Sequence, residues 1–483
     1  MKAMVLILTF LTREKGSPYS TTALTKLIQN EPGILLPGRK VWVAAILLFV
    51  FAFSVRAVIS LNYEYQSRQV MTVLTDIYKM DARNLASGDL KTFLEGPNPP
   101  IDAHILSHPP GYPIFLATVF KVSGDSDTAI KLLQTAADSL AVVLIFFLAL
   151  QFFPFTASVA GAAFVAFSPQ LSMHSQSLLP ESLSVLPIIA AMLCVAMFLK
   201  KESLWLMIVA GLLIGLSCWL RSTSLFFAPF MGVIIVVMRG RKCLLPVGTM
   251  LAAMIVTIAP ITTRNFVVFH EFIPLSLGSG VTLLGGIADY DKDRRFGLPR
   301  SDVEVAQTEA VEFGNPAYGG SLYNPDGILR EKYRRDRGVQ VIRENPVWFA
   351  GVMARRAVSM LEPERVPPVA PSVDFDEQSP AWAKFAGRMM WWPQKIIYAP
   401  AIILAFIVIG LVVALIATDR RWLILLALPV YALLIQSMLH TEPRYTLGIW
   451  YFLLIFAGVG VAAIAKRISR LISARSELVS ICF

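Results

Sequence analysis

The sequence predicts an all-α, multi-pass membrane protein: a bundle of about ten transmembrane helices with two long outer loops. Three observations carry this expectation. Apolar runs of about twenty residues recur along the chain, each long enough to cross about 30 Å of hydrocarbon as a helix. Hydrophobic residues make up 55% of the 483 positions. Small Lys/Arg clusters flank the runs, and threading the runs alternately places every cluster on one side, as the positive-inside rule requires.

Taken in order, residues 1–40 read as a cytoplasmic or interfacial extension. The stretch MKAMVLILTF is too short to span, and no small-residue cleavage site follows it. The first span, 41–60, follows Gly38-Arg39-Lys40, so its start is cytoplasmic. A long outer loop, 61–128, comes next, then spans near 130–152, 155–173, 182–199, 203–220, 222–239 and 244–261. Together these form a module over 41–261. A second outer region, 262–392, leads to spans near 393–417, 422–439 and 446–465 within 393–466, and a basic tail, 467–483, ends inside. Lys200-Lys201, Arg239/Arg241/Lys242 and Arg420-Arg421 all fall on the cytoplasmic side. The segment Tyr112–Val122 is apolar but short, and counting it as a span would turn Lys200-Lys201 outward. It therefore reads as an interfacial or re-entrant helix. Residues 285–340 read as a polar loop folded over the membrane face, 345–361 as an amphipathic surface helix, and 363–371 as a Pro-rich linker. There is no internal repeat.

The net charge of +10 is scattered in short clusters beside apolar spans, which argues for membrane topology and against nucleic-acid binding. Cys194, Cys218, Cys243 and Cys482 all lie outside the two long outer loops, so no disulfide framework is expected there. No Asn-x-Ser/Thr sequon occurs, which fits a bacterial inner membrane with its site facing the periplasm.

The chemically capable residues collect on the non-cytoplasmic side. Asp76, in TVLTDIYKMDARNLASGD, is either a solvated loop acid or a general base held near the membrane surface. Asp81 and Asp89 compete for that role, with water-facing or capping positions as their plainer reading. His104 and His108 stand four apart, which on a helix would aim both at a divalent metal ion with Asp102 nearby. Pro109-Pro110 argues against a helix continuing past His108, which leaves His108 as a polar wall for a sugar or phosphate. Glu181, directly after Pro180, is either a helix N-terminal acid or a second carboxylate facing Asp76. Arg221 interrupts apolar sequence at a depth that requires a partner or an anion. Arg56 near the end of the first span is explained by snorkelling or by the same anion. Arg264 and Arg444 also sit at outer helix ends, and several arginines at one level suit a phosphate group.

These landmarks, in this order, resemble the GT-C superfamily of membrane glycosyltransferases, especially the bacterial protein O-mannosyltransferase and aminoarabinose (lipid A) transferase group. The resemblance rests on Asp76 with ARNLASGD after it, His108-Pro109-Pro110-Gly111-Tyr112-Pro113, SPQLSMHSQSLLPES, WLRSTS, TTRNFVVFHEFIPLS and EPRYTLGIW. It covers roughly 41–290 and 393–465. It implies a GT-C-like bundle whose enzyme passes a single sugar, with inversion, from a polyprenyl-phosphate donor to a lipid, glycan or protein acceptor. By the same resemblance, Asp76 and Glu181 are the catalytic candidates. Arg56, His108, Tyr112, Arg221, Arg264, Glu442, Arg444 and Tyr445 are the candidates for holding donor or substrate. The first loop lacks the adjacent Asp-Glu pair of eukaryotic protein mannosyltransferases, and 291–392 matches no motif. Two rivals stand beside this reading: a lipid-linked sugar flippase or transporter, which would bind without chemistry, and a polysaccharide polymerase or ligase using the same outer cavity.

Overall fold

A computed structural model of the chain describes residues 38–62, 72–96, 102–363, 379–416 and 419–481. Among these residues all regular structure is helical. The extension up to residue 37 and the Pro-rich run after residue 363 lie outside them. The first helix is α1 (Arg39–Asn62), and the following loop carries α2 (Thr72–Ser87), α3 (Leu90–Glu95) and α4 (Gly111–Ser123). A central set comprises α5 (Asp127–Ala149), α6 (Phe155–Phe167), α7 (Pro169–His174), α8 (Pro180–Lys201), α9 (Leu204–Leu220), α10 (Phe227–Arg239) and α11 (Leu244–Phe269). A helical layer follows: α12 (Ser279–Ala288), α13 (Asp302–Glu312), α14 (Gly327–Glu344) and α15 (Pro346–Met360). The chain closes with α16 (Ala381–Ile397), α17 (Pro400–Ile416), α18 (Ala427–Ser437) and α19 (Leu447–Ile481).

Each of the expected spans falls on a helix, and the protein is a multi-pass membrane protein. Among the described residues, seven helical segments are long and apolar enough to cross, and an eighth is added if α16 and α17, bent by 59° at their junction, count as one. The shorter apolar helices α6 and α9 supply the two remaining expected positions. As its length demands, α4 is a short helix of 13 residues, packed on α2 through a cluster that includes Tyr78, Ala82, Tyr112 and Leu116.

Several boundaries move. Arg264 belongs to α11, which runs past the expected end of the first module, and α16 spans the expected start of the last one. The basic tail is the continuation of α19 as far as Ile481. The stretch 285–340, expected as a loop, contains α13 and α14. Their stability is hidden from hydrophobic patterning because their core is ionic: Glu309 accepts from both Arg330 and Arg334, at 2.6–2.7 Å, and all three are buried. The expected surface helix is α15, with Phe349, Val352, Arg356 and Met360 forming its buried stripe.

Where helices cross closely, the sequence supplies glycine. A Cβ at Gly410 of α17 would collide with the Phe456 carbonyl of α19, and this contact allows the backbones to approach as small residues do in membranes.

The central bundle also buries a charge pair that orders the site. The Arg56 guanidinium, fully buried, donates to Asp138 of α5 and to the carbonyls of Ala52 and Ala166 at 3.2 and 3.1 Å. Asp138 also accepts from Tyr451 of α19 and, at 2.6 Å, from Ser182. Ser182 is the neighbour of Glu181, so this network fixes the first turn of α8. Arg56 is thus a bundle residue, and neither snorkelling nor phosphate binding describes it. Asp138→Leu is expected to destabilise the protein by about 3–5 kcal/mol, because it leaves Arg56 buried without its counter-charge. Thermal unfolding in detergent checks this, with Arg56→Leu/Asp138→Leu expected to recover most of the loss.

Candidate active site

The charged cluster forms where α8, α9 and the start of α19 meet. Pro180 and Glu181 open α8, a helix start that favours an acid in its first turn. Arg221 caps the end of α9, where the chain turns extended before a short 3-10 turn. Arg444 and Tyr445 lie in the 3-10 turn Pro443–Thr446 that leads into α19. Three distant stretches of sequence therefore deliver one acid, two arginines and a tyrosine to one place.

Arg221 Nη1 donates to Glu181 Oε1 at 2.5 Å, and Arg444 Nη1 lies 3.4 Å from the same oxygen. Arg444 Nη2 donates to Glu442 Oε1 and to the Tyr445 hydroxyl, both at 2.9 Å. Both guanidinium groups also sit over the Tyr445 ring, at 4.6 and 4.9 Å from its centroid. Glu181 Oε2, Arg444 Nε and Arg444 Nη1 are buried without a hydrogen bond among the described residues. Two of these atoms are donors and one is an acceptor, so the cluster keeps unused hydrogen-bonding capacity of both kinds.

This cluster is the head of a groove of about 70 Å³, open to solvent. Beyond Glu181, Arg221, Arg444 and Tyr445 its walls turn apolar: Val185 and Ile188 of α8, Leu428, Ala432 and Ile435 of α18, and Leu447 of α19. Tyr431, Gln436, Ser184 and Ser224 also line it; none was singled out from sequence, because nothing marks them as different from helix filler.

A smaller cleft of about 10 Å³, room for about one water, lies beside the cluster, lined by Tyr78, Asp81, His104, Ser107, His108 and Arg264 among others. Tyr78 joins the two sites. Its ring is 5.2 Å from that of His108, and its hydroxyl senses Glu181, Arg221 and Arg444. Burial pushes the His108 imidazole down to about 3, aided by Arg221, His104 and Arg444, so it is neutral. Burial pushes the Asp81 carboxyl up to about 7, with Arg264 opposing the rise and Asp102 adding to it.

The expected residues therefore separate. Glu181, Arg221, Arg444, Tyr445 and Glu442 come together. Arg264 does not join them; it faces Asp81 in the cleft and donates to the Leu94 carbonyl at 3.3 Å. Tyr112 is fully buried behind Tyr78, with its hydroxyl donating to Gln134 at 2.8 Å, and so reaches neither groove nor cleft. Asp76 is exposed. Positions two apart on a helix differ by about 200°, so Asp76 points away from the side on which Tyr78 and Ala82 are buried. Asp81, three residues after Tyr78, shares its side. The apolar stripe Leu74, Tyr78, Ala82 and Leu85 is the sequence signal that places Asp81, and not Asp76, toward the buried side of α2. Asp89, by contrast, caps α3 through the Thr92 amide at 3.1 Å.

The two histidines do not build a metal centre. Asp102 accepts from the His104 amide at 2.8 Å and from Asn324, capping a 3-10 turn, while the His104 ring packs on Tyr323. No group of three or more His, Cys, Asp or Glu residues among the described residues could hold a metal ion.

Residues 107–263 match the family model described as dolichyl-phosphate-mannose-protein mannosyltransferase. Over this segment, about a third of the chain, the sequence is similar to that family. The matched segment contains His108, Tyr112, Glu181 and Arg221 and ends one residue before Arg264. Among solved structures, the chain is similar to the apo oligosaccharyltransferase of Archaeoglobus fulgidus (13% identity, TM-score 0.48, covering 92% of this chain and 52% of that one). It is also similar to the oligosaccharyltransferase AglB of the same organism in complex with an inhibitory peptide and a dolichol-phosphate (12%, TM-score 0.46, 91% and 52%). A third similarity is to ArnT from Cupriavidus metallidurans bound to undecaprenyl phosphate (15%, TM-score 0.36, 89% and 79%). The chain spans about half the length of the archaeal enzymes. No curated protein matches it significantly.

Proposed function

We propose that the protein is an inverting glycosyltransferase that moves one sugar from a polyprenyl-phosphate carrier to an acceptor hydroxyl on the non-cytoplasmic side of the membrane, in a bacterial inner membrane. The observation that carries this reading is the groove whose charged head continues into an apolar wall. Arg221 and Arg444 would hold the phosphate through paired donors, Glu181 would orient both guanidinium groups, and the α8–α18 wall would take the isoprenoid chain. The match of 107–263 to a dolichyl-phosphate-mannose transferase family supports a lipid-phosphate donor.

The chemistry is a single displacement. The acceptor oxygen bonds to the anomeric carbon as the bond from that carbon to the phosphate oxygen breaks. Polyprenyl phosphate leaves as an anion stabilised by the two arginines, and a carboxylate takes the acceptor proton. We assign that carboxylate to Asp81, which shares the cleft with His108 and titrates near neutrality. An acceptor that is itself a phosphate would need no base. The side assignment rests on the basic clusters at Lys200-Lys201, Arg239/Arg241/Lys242 and Lys466-Arg467 lying at the opposite helix ends.

The test is incubation of the detergent-purified protein with polyprenyl-phosphate sugars and candidate acceptors, followed by mass analysis of lipid and product. Release of polyprenyl phosphate with gain of one sugar is expected. Gain of an oligosaccharide would replace the reading by a polymerase or ligase. Translocation of lipid-linked sugar in sealed vesicles without any release would replace it by a transporter.

A further inference from the structure

Glu442 competes for the arginine that the donor phosphate needs, and the structure supplies a device that acts on that competition. The segment 437–442, between α18 and the Pro443–Thr446 turn, is pinned to the α12–α15 layer. Arg356 of α15, buried, donates to the carbonyls of Gly286 and, at 2.9 Å, of Ser437. The His440 amide donates to the Thr282 carbonyl at 2.8 Å. Gly286 has no room for a side chain against the Leu439–His440 backbone. On this anchor the His440 ring spans two acids: Nδ1 lies 2.8 Å from Asp289 Oδ2, and Nε2 lies 3.9 Å from Glu442 Oε1. That same Glu442 oxygen accepts from Arg444 Nη2 at 2.9 Å.

We propose that His440 is a positioning residue for Arg444: when protonated it draws Glu442 off the guanidinium, freeing Arg444 for an anionic lipid phosphate, and when neutral it leaves Glu442 as a competing anion. The inference rests on the reading of Arg444 as a phosphate ligand. It gives the α12–α15 layer, which lies outside the family match, a part in donor binding.

The charged groups facing His440 are Asp289 at the end of α12, Glu442 on its own segment and Arg356 on α15, with Arg444 beyond Glu442. The hydrogen bond to Asp289 raises the imidazole above its usual 6.5; burial opposes this, the charges of Asp289 and Glu442 add to it, and Arg356 lowers it. His440 is therefore charged below that raised value and neutral above it, so phosphate binding tightens as pH falls through it.

The experiment is binding of a fluorescent short-chain polyprenyl phosphate to the detergent-purified full-length protein between pH 5.5 and 8.5. The lipid phosphate's own second ionisation is common to all variants, so only differences from wild type are read. His440→Gln is expected to bind as weakly at pH 5.5 as the wild type does at high pH after that common correction, about fivefold below wild type. Glu442→Gln is expected to bind tightly at both ends of the range. A merely structural role would weaken both variants, which would overturn the proposal. So would a His440→Gln profile that follows wild type while Arg444→Ala loses binding. If Arg444→Ala binds like wild type, the donor-site reading itself falls.

Discussion

Arg444→Lys is expected to lower kcat/KM for transfer from a polyprenyl-phosphate sugar by about 10²-fold or more, although it keeps the charge and leaves Glu181 with a partner. Lysine presents a point charge, whereas the site uses a planar fork: one edge toward Glu181, the other toward Glu442 and the Tyr445 hydroxyl, with the plane over the Tyr445 ring. Removing one pre-positioned donor from a developing oxyanion costs about 10²–10³ in rate, because the donor is aimed at charge that appears in the transition state. Arg221→Ala should lose at least as much, since Glu181 then loses its 2.5 Å partner and no longer holds the remaining guanidinium in place. Steady-state transfer with thermal unfolding measured alongside tests both. Near-normal turnover by Arg444→Lys and Arg221→Ala together would remove the groove head from the mechanism.

Asp81→Asn is expected to reduce transfer by about 10²–10⁴, the usual share of a general base, while Asp76→Asn stays close to wild type. The pH dependence has a definite sign. A base works when ionised, so wild-type kcat/KM should rise with pH, bend near the carboxyl's value of about 7, and flatten above it. Stability runs the other way. The folded carboxyl is raised above its ordinary 3.8, so its contribution to stability is complete below that value and fades as pH rises through 7. Asp81→Asn removes that penalty, so the variant should be no less stable than wild type at pH 8, and lost activity there cannot be blamed on unfolding. Full activity in Asp81→Asn with none in Asp76→Asn would return the base to Asp76.

The helices were legible in the sequence because each apolar run is a continuous signal about as long as the hydrocarbon is thick. Glu181, Arg221 and Arg444 were legible for a related reason: charges beside apolar sequence need partners. Their convergence on one oxygen was not legible, since it depends on three crossings of helices far apart in the chain. Arg56 was misread because its partner, Asp138, lies inside what sequence shows only as an apolar span. Motif position points to Asp76 and the buried stripe of α2 to Asp81, and the two substitutions above decide between them. The ionic core of α13 and α14 looks to a hydrophobicity pattern like an exposed loop.

The unbroken course of α19 has a dimensional consequence. Its 35 residues extend about 52 Å, well over the roughly 30 Å of a hydrocarbon slab. Arg444 stands just before its first turn, and Lys466 and Arg467 follow about 33 Å further along. The two charged stations are thus spaced by nearly one bilayer thickness on a single rigid strut. Cations at one end and the guanidinium at the other each resist entering the oil, so the strut works as a depth gauge: it sets the level of the phosphate grip by the thickness of the membrane itself.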